Sequence, residues 1–87
     1  MRSAKVTVRH EHGLHARVAY AFTAGAKALT SRITVRRHGR SADGGSVLQL
    51  LMLAAARGAE IEVSAEGGNE EESLHRIEEF FSGGTGI

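Results

Sequence analysis

Cysteine, proline and tryptophan are all absent from this 87-residue chain. Without cysteine there is no disulfide framework and no thiolate metal site. Aromatics are scarce, with three phenylalanines and one tyrosine. None of them falls in a segment that reads as strand, so a base-stacking surface of the RNA-recognition type is not supported. Charge of one sign is also missing. Eleven basic side chains face ten acidic ones, a formal net charge of +1, whereas a dedicated nucleic-acid binder normally carries a strong basic excess. No apolar run approaches the roughly 20 residues needed to cross a bilayer. Met1-Arg2-Ser3-Ala4-Lys5 lacks the apolar core of a signal peptide. The expected compartment is therefore the cytoplasm, without membrane insertion.

What remains is ordinary for a globular protein: 41% hydrophobic and 24% charged residues. The length predicts one small domain spanning residues 1–87, able to bury only about 60–65% of the surface its unfolded chain exposes.

Two periodicities alternate along the chain. Ala4 to Arg9 switches between apolar and polar at every step, which predicts a half-buried strand with Val6 and Val8 on one face. His10-Glu11-His12-Gly13 reads as a polar turn. From Ala16 to Ala28 apolar residues recur at helical spacing, with Ala19, Phe22, Ala26 and Leu29 on the core stripe. Gly25 sits inside that helix at a cost of about 1 kcal/mol against alanine, and close packing on the sheet is one reason to keep it. Arg32–Arg37 alternates again, with Ile33 and Val35 inward. His38-Gly39 predicts a hairpin turn, and Arg40–Asp43 a short edge strand. Ser46 then precedes Val47–Ala56, a run rich in Leu, Met and Ala that favours helix. Serine is a natural N-cap, and Gly58 fits a C-terminal stop. Ala59–Ala65 is the cleanest strand, with Ile61, Val63 and Ala65 inward and Glu60, Glu62 and Ser64 outward. After the Gly67-Gly68-Asn69 turn, Glu70–Phe81 is the last helix, burying Leu74, Ile77 and Phe81. Ser82 to Gly86 is expected to fray. The order β-α-β-β-α-β-α predicts an α+β open-faced sandwich, a mostly antiparallel sheet with helices on one face.

The functional signal lies at Gly13-Leu14-His15-Ala16-Arg17, where strand period gives way to helix period. The first N–H groups of a helix have no intrahelical partner and carry the positive end of its dipole. A helix mouth is thus an anion site, and here it holds an imidazole with a guanidinium two residues on. An imidazole, with a free pKa near 6.5, is often unprotonated at neutral pH and is able to attack phosphorus. The phosphoramidate so formed transfers readily, unlike a serine ester. Arg17 has the planar fork that pairs with two phosphate oxygens.

These residues resemble the active-site motif of HPr, the histidine-containing phosphocarrier of the bacterial phosphotransferase system, or its nitrogen-branch paralogue NPr. Gly45-Ser46-Val47-Leu48 to Leu53 is similar to that family's second-helix segment. The resemblance implies four antiparallel strands in the order 1-4-2-3 with three helices on one side. It implies that His15 takes a phosphoryl group from phosphorylated enzyme I and passes it to A-type enzyme II components in sugar transport, or serves the regulatory nitrogen branch. It gives Arg17 the task of phosphate stabilisation, Ser46 that of a regulatory phosphoserine for a dedicated kinase/phosphorylase, and Val47, Leu48 and Tyr20 a docking surface for partners. It implies a monomeric carrier without independent turnover and without cofactor. Three departures stand out. Val18 occupies the position where the family usually has proline, which restores an N–H and predicts altered stability or transfer rate. Gly45 stands where a basic residue is common, and Tyr20 is bulkier than expected.

Competing readings are weaker. His10, His12 and His15 have neither cysteine nor aspartate near them for a metal site, so none is expected. Arg36, Arg37, His38 and Arg40 form a basic hairpin tip that a nucleic-acid-binding α+β domain would use, though a solvated face explains such a run. A small acyl-phosphate hydrolase needs a positioned water and a second polar group beside Arg17, and the sequence offers no obvious one.

Overall fold

The computed structural model describes residues 1–83. Gly84, Thr85 and Gly86 of the segment expected to fray lie outside the described residues, while Ser82 and Gly83 are the last residues of a helix. Seven elements follow one another: β1 Arg2–Thr7, α1 Ala16–Lys27, β2 Arg32–Arg37, β3 Arg40–Asp43, α2 Val47–Met52, β4 Glu60–Glu66 and α3 Glu70–Gly83. The strands form one antiparallel sheet in the order β1-β4-β2-β3, the topology expected of the family.

Strand alternation decides which face of the sheet the helices cover. Ile33 and Val35 of β2, Ala42 of β3 and Ile61, Val63 and Ala65 of β4 all point to one side and are buried there. They join Val18, Ala19, Phe22 and Ala26 of α1, Leu50 of α2 and Leu74, Ile77 and Phe81 of α3 in a single core cluster. Each large apolar side chain so buried contributes roughly 1.5–3 kcal/mol. The opposite face carries charge, with Glu62 paired in register with both Lys5 and Arg36. The exposed Arg36–Glu62 ion pair, at 3.8 Å, adds little.

The hairpin joining β2 and β3 has a two-residue loop, His38-Gly39, closed by the pairing of Arg37 with Arg40. Both loop residues have positive φ, 52° and 80°, as the type I′ turn requires.

Several expectations need correcting. The first strand ends at Thr7, two residues early; Val8 instead exchanges backbone bonds with the turn before β4, its N–H donating to Ala59 and its carbonyl accepting from Gly58. The second helix stops at Met52 rather than Ala56. Ala54 leaves it with φ +52°, and Ala55 turns into the core, where its carbonyl is taken by the N–H of Leu14. Gly58 therefore caps nothing; with φ +90° it makes the turn into β4. Ser64 does point outward, yet it is buried, because β4 is a central strand and Arg36 reaches across to donate to its hydroxyl at 3.3 Å. Gly25 packs on nothing: a Cβ there would meet no atom within 4 Å. His10 is not part of a polar turn surface but lies buried among phenylalanines.

Candidate functional site

The loop from Val8 to His15 is fixed from below. Gly13 has φ +72°, and a Cβ on it would stand 2.6 Å from the carbonyl oxygen of Ala55. Only glycine lets the backbone come this close. The approach allows Leu14, itself buried, to donate its N–H to Ala55 at 2.8 Å. His15 follows directly and is held as a consequence.

His15 is the N-cap of α1. Its backbone is extended (φ −88°, ψ 179°), its carbonyl accepts the N–H of Ala19 at 2.8 Å, and its Nδ1 accepts the N–H of Arg17 at 3.3 Å. An imidazole nitrogen that accepts carries its lone pair toward the helix mouth, so in the neutral ring the proton resides on Nε2. The nucleophilic lone pair and the unpaired amides of the first turn thus face the same space. The His15 ring is half-buried, held but reachable.

A depression of about 400 Å³ opens there, lined by Arg9, His10, Glu11, His12, His15, Arg17 and Val18. Its side chains are mostly basic, Glu11 being the one carboxylate. Arg17 is exposed and pairs with no carboxylate among the described residues. A guanidinium left free at the positive end of a helix dipole suits an anionic ligand. His12 meets the His15 ring edge-on, with centroids 5.9 Å apart.

The sequence brought His15 and Arg17 together and grouped His10 and His12 with His15 only as a weak metal site; Arg9 it did not single out. His10 was legible in one respect: Val6, Val8 and His10 share the period-two phase that points inward. Its ring packs on Phe80 at 5.4 Å and on Phe81 at 6.1 Å, and neither ring nitrogen has a hydrogen-bond partner. Burial, and secondarily the charge of His15, hold its pKa below the ordinary 6.5. Val18, where the family usually has proline, has its side chain fully buried in the core.

The other predicted residues stand apart from the depression. Ser46 N-caps α2, its Oγ accepting the N–H of Gln49 at 3.2 Å. Val47 is half-buried, while Tyr20, Leu48 and Met52 are 70%, 69% and 61% exposed. No group of three or more His, Cys, Asp or Glu able to hold a metal occurs among the described residues. No helix among them is long and apolar enough to cross a membrane.

Comparison with known proteins agrees with this geometry. Residues 2–83 match the family model described as the PTS HPr component phosphorylation site. The chain is 31% identical over 83 residues to phosphocarrier protein HPr of Neisseria meningitidis serogroup A, covering 95% of this chain and 93% of that one. It is 34% identical over 73 residues to the HPr-like protein Crh of Bacillus subtilis, covering 84% and 86%. Its fold matches the crystal structure of HPr-C-His from Thermoanaerobacter tengcongensis with a TM-score of 0.93 at 26% identity, covering 100% of this chain and 98% of that one.

Proposed function

Since the chain belongs to the HPr family of phosphocarriers of the phosphotransferase system, we propose that His15 is its phosphoryl acceptor and that the protein relays phosphorus between larger partners without turnover of its own. The observation that carries this reading is the placement of Nδ1 at the mouth of α1, 3.3 Å from the Arg17 amide. The His15 Nδ1 lone pair forms a bond to phosphorus. The bond between phosphorus and its previous carrier breaks, and its electron pair stays with that carrier. The phosphoryl oxygens then lie against the first-turn amides and within reach of the Arg17 guanidinium, which stabilise their charge. Onward transfer runs the same steps in reverse on the next protein.

The donor is phosphorylated enzyme I and the acceptors are A-type enzyme II components or their nitrogen-branch counterparts. Tyr20 of α1 and Val47, Leu48 and Met52 of α2 form the docking surface. Tyr20, Leu48 and Met52 are exposed, and exposed apolar residues on a protein this small mark an interaction site. The carrier acts in the cytoplasm as a monomer, leaving one face open to successive partners. Ser46 is the regulatory position. A phosphate there sits at the start of α2, two residues before Leu48, and adds negative charge to a surface that must meet phosphorylated partners.

Incubation with enzyme I and phosphoenolpyruvate tests the reading. One acid-labile phosphate per chain, with no continuing release of inorganic phosphate, is the expected result. Continuous release would make the protein a phosphatase, and no incorporation would remove it from the relay.

A further inference from the structure

We propose that His10 is the buried counter-charge of the carried phosphoryl group: loading of His15 draws a proton from solvent onto the His10 ring, and the resulting imidazolium steadies the loaded state. The inference rests on His15 being the acceptor and adds to it a positioning residue that acts from beneath the site. His10 is 6% exposed, and both of its ring nitrogens are buried without a hydrogen-bond partner among the described residues. Burying polar atoms unpaired is costly, and an aliphatic side chain would fill the same place without that cost. The ring forms part of the wall of the depression that His15 and Arg17 also line. The His10 carbonyl accepts the N–H of Gly13 at 3.0 Å, so the turn that sets His15 also fixes His10. Behind the ring stand Phe80 and Phe81, with centroids 5.4 and 6.1 Å away. Aromatic rings attract a cation at about this range, which aliphatic walls do not.

In the neutral ring one nitrogen carries hydrogen and the other a free lone pair. Burial, and after it the charge of His15, hold the His10 pKa below the ordinary 6.5, so the empty chain keeps this ring neutral at neutral pH. Loading reverses the second of these causes. A phosphoryl group puts negative charge on the same His15 ring, and a nearby opposite charge favours the cationic form of an imidazole. The proton comes from bulk solvent, a second N–H forms on His10, and no other bond in the chain changes.

The titratable and charged groups around the ring are Arg9, Glu11 and His12 of its own loop and His15 and Arg17 at the mouth of α1. From α3 it meets Phe80 and Phe81, which carry no charge. Of these groups, His15 alone changes its covalent state on loading. By linkage, the factor by which the phosphoryl group tightens proton binding at His10 is also the factor by which that proton tightens retention of the phosphoryl group.

The test follows the His10 imidazole resonances of the full-length chain by NMR from about pH 5 to 8, the span in which histidines titrate. The chain is taken empty and after loading with phosphoramidate, a small donor that gives up ammonia. The His10 midpoint is expected below 6.5 in the empty chain and higher by about one unit or more in the loaded one. A second measurement uses His10→Phe, whose ring takes no proton. Between about pH 8 and 6 the transfer equilibrium with phosphorylated enzyme I should move toward the loaded wild type by about tenfold more than toward the loaded variant. The wild-type titration needs no variant, so it decides the proposal even where His10→Phe fails to fold. Equal His10 midpoints in empty and loaded chains, or the same pH dependence of transfer in wild type and a folded His10→Phe, overturn the counter-charge and leave the carrier reading intact. Absence of phosphate on His15 from phosphoramidate and from enzyme I alike overturns both.

Discussion

The N–H of Leu14 donates to the carbonyl of Ala55 at 2.8 Å, and this one bond ties the loop before His15 to the segment that follows α2. The bond exists because Gly13 lacks a Cβ. Replacing Gly13 with alanine forces a positive φ on a residue that resists it and drives a methyl group into the Ala55 carbonyl. We expect Gly13→Ala to cost about 2–4 kcal/mol in urea unfolding and to slow loading of His15 beyond what the stability loss explains. A variant as stable and as readily loaded as wild type would show that the tie does not position the site.

Gly25 makes the opposite case. It lies within α1 with open space where its Cβ would be. Gly25→Ala is expected to stabilise by about 0.5–1 kcal/mol, raising Tm by roughly 4–8 °C per kcal/mol in a domain of this size. Calorimetry checks this directly, and a fall in Tm would mean that close packing does occur there.

Stability should fall in acid through His10. Its folded pKa lies below the ordinary 6.5, so the unfolded chain binds the extra proton. The native state is free of this penalty above about pH 6.5 and progressively loses stability as pH falls through that value toward the depressed one. His10→Leu removes two unpartnered ring nitrogens from the Phe80–Phe81 pocket. Its urea midpoint is expected to match or exceed that of wild type at pH 7 and to decline less between about pH 6.5 and 5. Parallel declines in the two proteins would contradict this.

Ser46 is both cap and regulatory candidate. Ser46→Ala loses the bond to the Gln49 N–H and should cost about 1 kcal/mol. Ser46→Asp keeps a capping oxygen and should cost less, while slowing transfer from enzyme I. Equal transfer rates for the two variants would leave Ser46 a cap alone.

Leu48 is 69% exposed, so its folded-state cost of replacement is small. Leu48→Asp should stay within about 0.5 kcal/mol of wild type in stability. Its second-order rate of loading from enzyme I should nevertheless drop by about tenfold, the loss expected when a docking anchor is removed. Unchanged loading would move the docking surface elsewhere.

What the sequence made legible follows the strength of each local signal. Strict alternation over Arg32–Arg37 and Ala59–Ala65 fixed two strands and their inward residues, and Gly39 with its neighbour fixed the hairpin. The motif at Gly13 to Arg17 located the helix mouth and its imidazole. Where composition misled, a distant contact had overridden it. Leu, Met and Ala from Val47 to Ala56 all favour helix, but Ala55 leaves the helix to satisfy the N–H of Leu14, some forty residues earlier in the chain. Ser64 alternates outward, but a central strand and the reach of Arg36 cover it. His10 shares the inward phase of Val6 and Val8, and its polarity concealed that. The company of Arg9 around His15 depends on how the loop folds, which no period along the chain records.

Mapping the phosphate after brief exposure to enzyme I and phosphoenolpyruvate tests the central claim most directly. The account predicts a single phosphoryl group on His15, lost in acid, with none on a folded His15→Ala variant. Phosphate on another residue of the wild type, or continued labelling of His15→Ala, would contradict it.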